Sequence, residues 1–160
     1  MPQLELPQFY AWSLVFLAVV LLVLAYHNVR TLKISNLSNG LILAAGIAAC
    51  AVRASLATNP ADEIFYYFWP AAAIVLIGLA VVGLSAGLGK LLIALLPWLR
   101  PDDFLWAAGI AIGVQVIVSI YSVSMGRNRR NTKLMVPVVP AVLIGVAAMA
   151  AKAWMTAYGA

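Results

Sequence analysis

The sequence predicts an all-α, polytopic membrane protein, and three observations support that fold class. Hydrophobic residues make up 65% of the 160 residues and charged residues only 9%, whereas soluble domains carry about a quarter charged residues. The mean hydropathy is +1.02. Apolar runs of about 20 residues recur along the chain, and a helix of that length crosses about 30 Å of hydrocarbon.

Six apolar segments predict six transmembrane helices in one domain that covers residues 1–160. The five longer segments are residues 9–26, 37–56, 64–84, 104–125 and 134–154. The fourth segment in chain order, residues 88–99, is short, so it needs flanking residues or a locally thinner bilayer in order to cross. The first segment follows Glu5 without a basic residue and is longer than the hydrophobic region of a secretory signal, so we expect a retained helix.

The distribution of charged residues favours six spans over five. Six spans place seven of the ten basic residues on one side, namely Arg30, Lys33, Lys90, Arg127, Arg129, Arg130 and Lys133. They place all five acidic residues on the other side, namely Glu5, Asp62, Glu63, Asp102 and Asp103. Basic residues are enriched in cytoplasmic loops, so we expect a multi-pass protein of the cell inner (plasma) membrane with both termini outside the cytoplasm. We assign the net charge of +5 to this topology and not to nucleic-acid binding.

Small residues mark one candidate helix contact in the fifth segment. Gly109 and Gly113 are four residues apart there, with Ala107 and Ala111 close by. Small residues at this spacing let two membrane helices approach closely. We therefore expect a neighbouring helix against Gly109 and Gly113, either from this chain or from a second copy in an oligomer.

Two polar patterns interrupt the apolar sequence, and both fall on the predicted cytoplasmic side. The first follows the first segment and consists of Asn28, a short stretch with Arg30 and Lys33, and then Ile34, Ser35 and Asn36. The second opens the short fourth segment and consists of Gly87, Leu88, Gly89, Lys90, Leu91 and Leu92. Their common side makes them the candidate site of function.

Together the two patterns resemble the active-site signatures of the type IV prepilin peptidases, which are intramembrane aspartyl proteases, and especially of the short branch that serves tight-adherence pili. The family's first signature is an aspartate, a short basic stretch and Ile-Pro-Asn, and its second is Gly-x-Gly-Asp-x-Lys-Leu-Leu. Asn28 and Leu88 stand at the two aspartate positions, and Ser35 stands at the proline. The matching positions include Ile34, Asn36, Gly87 and Lys90. The resemblance covers about residues 12–150, including the helix order and the short fourth helix.

The resemblance implies a six-helix peptidase scaffold, but the two substitutions remove its chemistry. An aspartyl protease pairs an ionised carboxylate, which draws a proton from water, with a protonated one that polarises the scissile carbonyl. Asn28 cannot ionise, and Leu88 can neither ionise nor donate a proton. We therefore expect a catalytically degenerate protein that binds a prepilin or another pilus-assembly membrane protein. Two alternatives stay open, an active prepilin endopeptidase and an unrelated small transporter or structural subunit.

The remaining polar residues predict no metal or cofactor site. His27 is the only histidine in the chain, and no second ligand lies near it in sequence. The acidic residues are expected about 30 Å from the two motifs, on the other side of the membrane. Asp102 and Asp103 are expected in a solvated turn that caps a helix starting at Phe104, and Arg53 is expected to extend towards the outer face.

Overall fold

The computed structural model describes residues 5–31, 33–60, 63, 86–124 and 137–159. The described residues form five helices in chain order, α1 (Leu6–Thr31), α2 (Asn36–Leu56), α3 (Ala86–Leu95), α4 (Pro101–Ser124) and α5 (Val139–Tyr158). These ranges contain no strand, so the all-α class is confirmed for them.

Four of these helices are long and apolar enough to cross a membrane, namely α1, α2, residues Asp102–Tyr121 of α4, and α5. They support the assignment of the chain as a membrane protein. Helix α3 has 10 residues and is therefore about 15 Å long. It is short, as predicted, but it ends at Leu95, and residues 96–99 of the predicted segment form a turn. The third predicted segment, residues 64–84, lies outside the described residues, so the count of six spans remains a prediction.

Residues at the starts of α2, α4 and α5 explain where these helices begin. Helix α2 begins at Asn36 because the Ser35 hydroxyl accepts a hydrogen bond from the backbone N–H of Ser38 at 2.9 Å. That bond satisfies one of the unpaired donors of a helix start. Helix α4 begins at Pro101, and α5 carries Pro140 in its first turn. A missing N–H costs no helical hydrogen bond at these positions.

Helix α5 is the centre of the bundle, since both α1 and α4 pack along it. Gly145 lies directly against the backbone of Ala107 in α4, and a side chain at position 145 would have no room. Such a close approach increases the van der Waals contact between two helices. At Gly109 and Gly113 no described atom lies within 4 Å of where a side chain would begin. The contact predicted at these two glycines is therefore not made within the described part of the chain.

The turn at residues 96–99, which follows α3, is held against α2 by Trp98. The Trp98 indole N–H donates to the carbonyl of Ile42 at 2.8 Å. Its ring stacks on Phe16 of α1 with the ring centroids 6.2 Å apart. A Cβ atom on Gly46 would lie 2.6 Å from the Trp98 ring, so this glycine leaves the notch in α2 that receives the indole.

Large apolar side chains stay exposed on the outside of the bundle, among them Phe16, Val23, Leu37, Trp106, Ile117 and Met155. An apolar groove of about 510 Å³ between α1 and α2 belongs to the same surface. Exposing apolar surface to water costs about 25 cal/mol per Å², whereas lipid tails are as apolar as these side chains. The exposed surface is consistent with contact to a lipid bilayer.

Candidate functional site

Both sequence motifs lie at one end of the bundle, which we call the motif end and define by Asn28, residues 33–36 and residues 87–90. The ammonium group of Lys90 donates a hydrogen bond to the side-chain oxygen of Asn36 at 3.2 Å. This bond joins the second motif to the first. The two residues are 54 positions apart in the chain, so it is the fold that brings them together.

Asn28, at the first aspartate position, is a buried residue with a structural role. Only 2% of its surface is exposed, and its side-chain oxygen accepts a hydrogen bond from the backbone N–H of Val139 at 3.2 Å. That N–H belongs to the first turn of α5 and has no partner within its own helix. Asn28 thus caps α5 from across the bundle. An aspartate at position 28 would offer the same acceptor.

Leu88, at the second aspartate position, belongs to the hydrophobic core. It is 1% exposed, and it shares the core with Leu91, Leu92 and Leu95 of the same helix. An ionised carboxylate at this depth would lose its hydration, which is costly unless a partner compensates for it. The position serves as an apolar packing site in this chain.

The other motif residues have local roles. Ser35 caps α2, and Ile34 is partly buried against the core. Gly87 has no described atom within 4 Å of where its side chain would begin, so packing within the described residues does not require a glycine there. Lys90 is exposed to the surroundings apart from its bond to Asn36.

Asn39 is a polar residue of α2 that the motif comparison missed. It lies one helical turn after Asn36, it is buried, and its side-chain oxygen accepts no hydrogen bond from any described residue. Leaving such a group unpaired costs about 1–3 kcal/mol. The sequence does contain a signal, since a second amide follows Asn36 by one turn at the start of an otherwise apolar helix. We add Asn39 to the candidate site.

The described carboxylate groups with bonded partners lie at the other end of the bundle, which we call the network end. Asp103 accepts a hydrogen bond from the Tyr10 hydroxyl at 2.8 Å and pairs with Lys152 at 2.7 Å. Tyr10 and Asn28 are 18 residues apart in the continuous helix α1, which corresponds to about 27 Å at about 1.5 Å per residue. Asp103 is therefore too far away to replace a catalytic carboxylate at the motif end.

Glu63 is held at the network end by two arginines. Arg53 in α2 approaches one of its carboxylate oxygens at 3.3 Å, and Arg100 approaches the other at 3.4 Å. The Arg53 guanidinium also donates to the carbonyls of Trp98 at 2.6 Å and Pro97 at 2.9 Å. These carbonyls belong to the turn after α3, where peptide groups lack the regular partners of a helix and must be satisfied otherwise.

Tyr10 connects the two halves of this network. Its hydroxyl accepts a hydrogen bond from the backbone N–H of Arg100 at 3.1 Å and donates one to Asp103. The guanidinium carbons of Arg53 and Arg100 lie 5.4 and 4.9 Å from the centre of its ring, within the range of cation–π attraction. Together with Lys152, these contacts link α1, α2, α4 and α5 at one level of the bundle.

The network end corrects two sequence-based expectations. Arg53 does not extend to solvent. It is only 2% exposed, because its guanidinium pairs with Glu63 and donates to two turn carbonyls inside the protein, while its Nε atom has no hydrogen-bond partner among the described residues. Asp103 is not a solvated residue ahead of the helix. Helix α4 begins at Pro101, and Asp103 is buried in its first turn, while the neighbouring Asp102 is exposed. The local sequence contains the charges but does not reveal their partners across the bundle.

Known proteins give no further information on the candidate site. Comparison of the chain with protein-family models, with curated proteins and with solved structures gives no match. In the part of the chain that the structure describes, no three His, Cys, Asp or Glu side chains are grouped so as to hold a metal ion. The resemblance to the prepilin peptidases remains an expectation from the motif residues alone.

Proposed function

We propose that this protein is a catalytically degenerate relative of the type IV prepilin peptidases, which binds a prepilin or another pilus-assembly membrane protein and does not cleave it. The main observation in support is the hydrogen bond between Lys90 and Asn36, at 3.2 Å. Both residues match signature positions of the family, and they are 54 positions apart in the chain. This contact supports the proposal, because the two signatures of the family belong to one active site.

The loss of cleavage follows from the chemistry of the two aspartate positions. Asn28 and Leu88 supply no carboxylate, and the carboxylate of Asp103 is held about 27 Å away by Tyr10 and Lys152. Attack of water on a peptide bond then lacks the carboxylate base and the carboxylic acid that an aspartyl protease uses. Loss of residues that act as a catalytic unit typically lowers the rate by several orders of magnitude.

The cleavage test measures the amino terminus of a co-expressed prepilin by mass spectrometry. We expect the unaltered chain to leave the leader in place and the double variant Asn28→Asp, Leu88→Asp to remove it. Because Leu88 is buried, the matched control is Asn28→Asp with Leu88→Asn, which adds a polar group to the core without a second acid. We expect this control not to cleave the prepilin. Cleavage by the unaltered chain would make it an active endopeptidase and overturn the proposal.

The binding test uses a photo-crosslinking amino acid in place of Leu37, which is exposed beside Asn36 at the motif end. The matched control places the same amino acid at Met155, an exposed apolar residue of α5 near Lys152 at the network end. We expect covalent adducts with the prepilin from position 37 only. Absence of adducts from position 37, together with no cleavage by the double variant, would favour an unrelated transporter or structural subunit.

A further inference from the structure

The network end contains a second candidate site, a cleft of about 150 Å³ between the starts of α1 and α4 and the last turns of α5. Its polar lining comes from Tyr10, Arg100, Asp103, Lys152 and Thr156. None of these residues belongs to the motifs or to the proposed prepilin contact. The cleft is therefore considered independently of the proposed function.

The ion pairs beside the cleft contain one more cation than carboxylates. Three cations, Arg53, Arg100 and Lys152, face two carboxylates, those of Glu63 and Asp103, so these groups have a net charge of +1. Each of the four carboxylate oxygens already contacts a cation or a tyrosine hydroxyl. Asp102, exposed in the first turn of α4, adds a negative charge beside them, so the case for an anion depends on the hydrogen-bond donors of Arg100 and Lys152.

Arg100 and Lys152 also keep hydrogen-bond donors that no described residue accepts. The Nε atom of Arg100 is buried without an acceptor, and its guanidinium forms one ion pair, at 3.4 Å to Glu63. The Lys152 ammonium group has three N–H donors, and one carboxylate oxygen engages it. The two side chains are 41% and 55% exposed, so an anion can reach them from outside the protein.

An aromatic cluster of the kind that favours the level of lipid headgroups lies beside the cleft. The Trp12 indole N–H donates to the Tyr158 hydroxyl at 2.9 Å, and the Trp12 ring packs edge-on against Trp154 with the centroids 5.0 Å apart. All three rings are partly exposed, and exposed Trp and Tyr side chains favour the interface between lipid tails and water. Trp12 is two residues from Tyr10 and Trp154 two residues from Lys152, which is about 3 Å along each helix.

We propose that this cleft binds the phosphate of an anionic phospholipid headgroup, with Arg100 and Lys152 as its ligands. The planar guanidinium of an arginine matches phosphate oxygens in geometry, and a lysine adds a compact charge. Tyr10 and Asp103 position the two cations, because Tyr10 binds the Arg100 backbone and Asp103 pairs with Lys152.

The test measures lipid binding to the purified full-length chain in a neutral detergent by native mass spectrometry. Phosphatidylglycerol, phosphatidylcholine and inorganic phosphate are titrated separately. We expect one phosphatidylglycerol molecule to be retained per chain, with an affinity about tenfold above that of phosphatidylcholine. Displacement of phosphatidylglycerol by millimolar inorganic phosphate would identify a site for a free anion and overturn the lipid assignment.

Variants locate the binding in this cleft. Arg100→Gln and Lys152→Gln are each expected to weaken phosphatidylglycerol binding about five- to tenfold. Since Arg100 also pairs with Glu63, Arg100→Lys is included, which keeps the charge without the planar fork and should give an intermediate loss. Lys33→Gln, an exposed lysine at the motif end, is the control and should change binding less than twofold.

Two results would overturn the proposal. The first is wild-type affinity for phosphatidylglycerol in both Arg100→Gln and Lys152→Gln, provided that the variants remain folded by their tryptophan fluorescence. The second is an equal loss of binding in the control Lys33→Gln, which would indicate general attraction to basic surface charge. No prepilin is present in this experiment, so its outcome does not depend on the proposed function.

Discussion

The two ends of the bundle are stabilised by different kinds of contact. At the motif end, single hydrogen bonds join separate elements, from Val139 to Asn28 and from Lys90 to Asn36. At the network end, five ionised side chains and Tyr10 connect α1, α2, α4 and α5. The end that resembles a protease site therefore has no carboxylate among its defining residues, whereas the carboxylates at the other end hold helices together.

This difference shows that a chain can keep the spacing of a sequence motif without the residues that would perform its chemistry. At the motif end, Ser35 caps α2, Leu88 belongs to the hydrophobic core, and the bond from Lys90 to Asn36 joins α3 to α2. At the network end the charges are buried or half-buried, and removal of one partner from a buried ion pair is more costly than loss of an exposed hydrogen bond. We therefore expect substitutions to have larger effects on stability at the network end.

The largest effect is expected for Arg53→Met. The substitution leaves Glu63 with one cation and leaves the carbonyls of Pro97 and Trp98 without their donor. Breaking a buried ion pair costs about 3–5 kcal/mol, which unfolding in detergent followed by tryptophan fluorescence would measure. Lys33→Met, at an exposed lysine, is the control and should change stability by less than about 0.5 kcal/mol. A loss no larger than that of the control would contradict the role of the network.

The next largest effect on stability is expected for Gly145→Ala, at a residue of α5 that lies between the two ends of the bundle. The added methyl group would meet the backbone of Ala107, which cannot move aside as a flexible side chain does, and such overpacking costs about 1–3 kcal/mol. The control is Gly109→Ala in α4, where no described atom lies within 4 Å of the new group. We expect unchanged or slightly higher stability for the control, because alanine is the better helix former. A large loss of stability in Gly109→Ala would instead indicate that the predicted helix contact at that glycine exists.

Asn28→Leu is expected to destabilise the motif end by about 1–3 kcal/mol, because it leaves the buried N–H of Val139 without an acceptor. Asn28→Asp keeps an acceptor oxygen at the same place and should cost less. Unfolding free energies of both variants measure the difference, and faster hydrogen exchange at the Val139 amide in Asn28→Leu would locate it. Equal losses in the two variants would mean that Asn28 does not act as the cap of α5.

The smallest effect is expected for Lys90→Gln, which removes an exposed hydrogen bond to Asn36. Such a bond contributes about 0.5–1 kcal/mol, and Lys33→Gln at the same end is the control with no described side-chain partner. The measurement is again the free energy of unfolding in detergent. If Lys90→Gln lost more stability than Arg53→Met, the ranking of the two ends would be reversed.

Much of the fold follows from hydropathy, because an apolar run of sufficient length is a local property of the chain. The predicted segment at residues 104–125 corresponds to α4 at Pro101–Ser124, and the segment at residues 134–154 corresponds to α5 at Val139–Tyr158. The starts differ by three and five residues, and Pro101 and Pro140 occupy first turns that can accommodate a missing N–H. Helix α5 also ends four residues later than predicted. The six-span count, the orientation of the termini and the membrane involved remain predictions.

For the candidate site, too, some features follow from the local sequence and others only from the packing of the helices. The sequence by itself determined the membrane class, the approximate positions of the described helices, the two motifs and the lack of acids within them, since each depends on residue type and spacing along the chain. Only the tertiary structure decided that Lys90 bonds to Asn36, that Asn28 caps α5, and that Arg53 and Asp103 are buried. A charge or an amide in a sequence does not reveal its partner, because partners from different helices meet only when the bundle has packed.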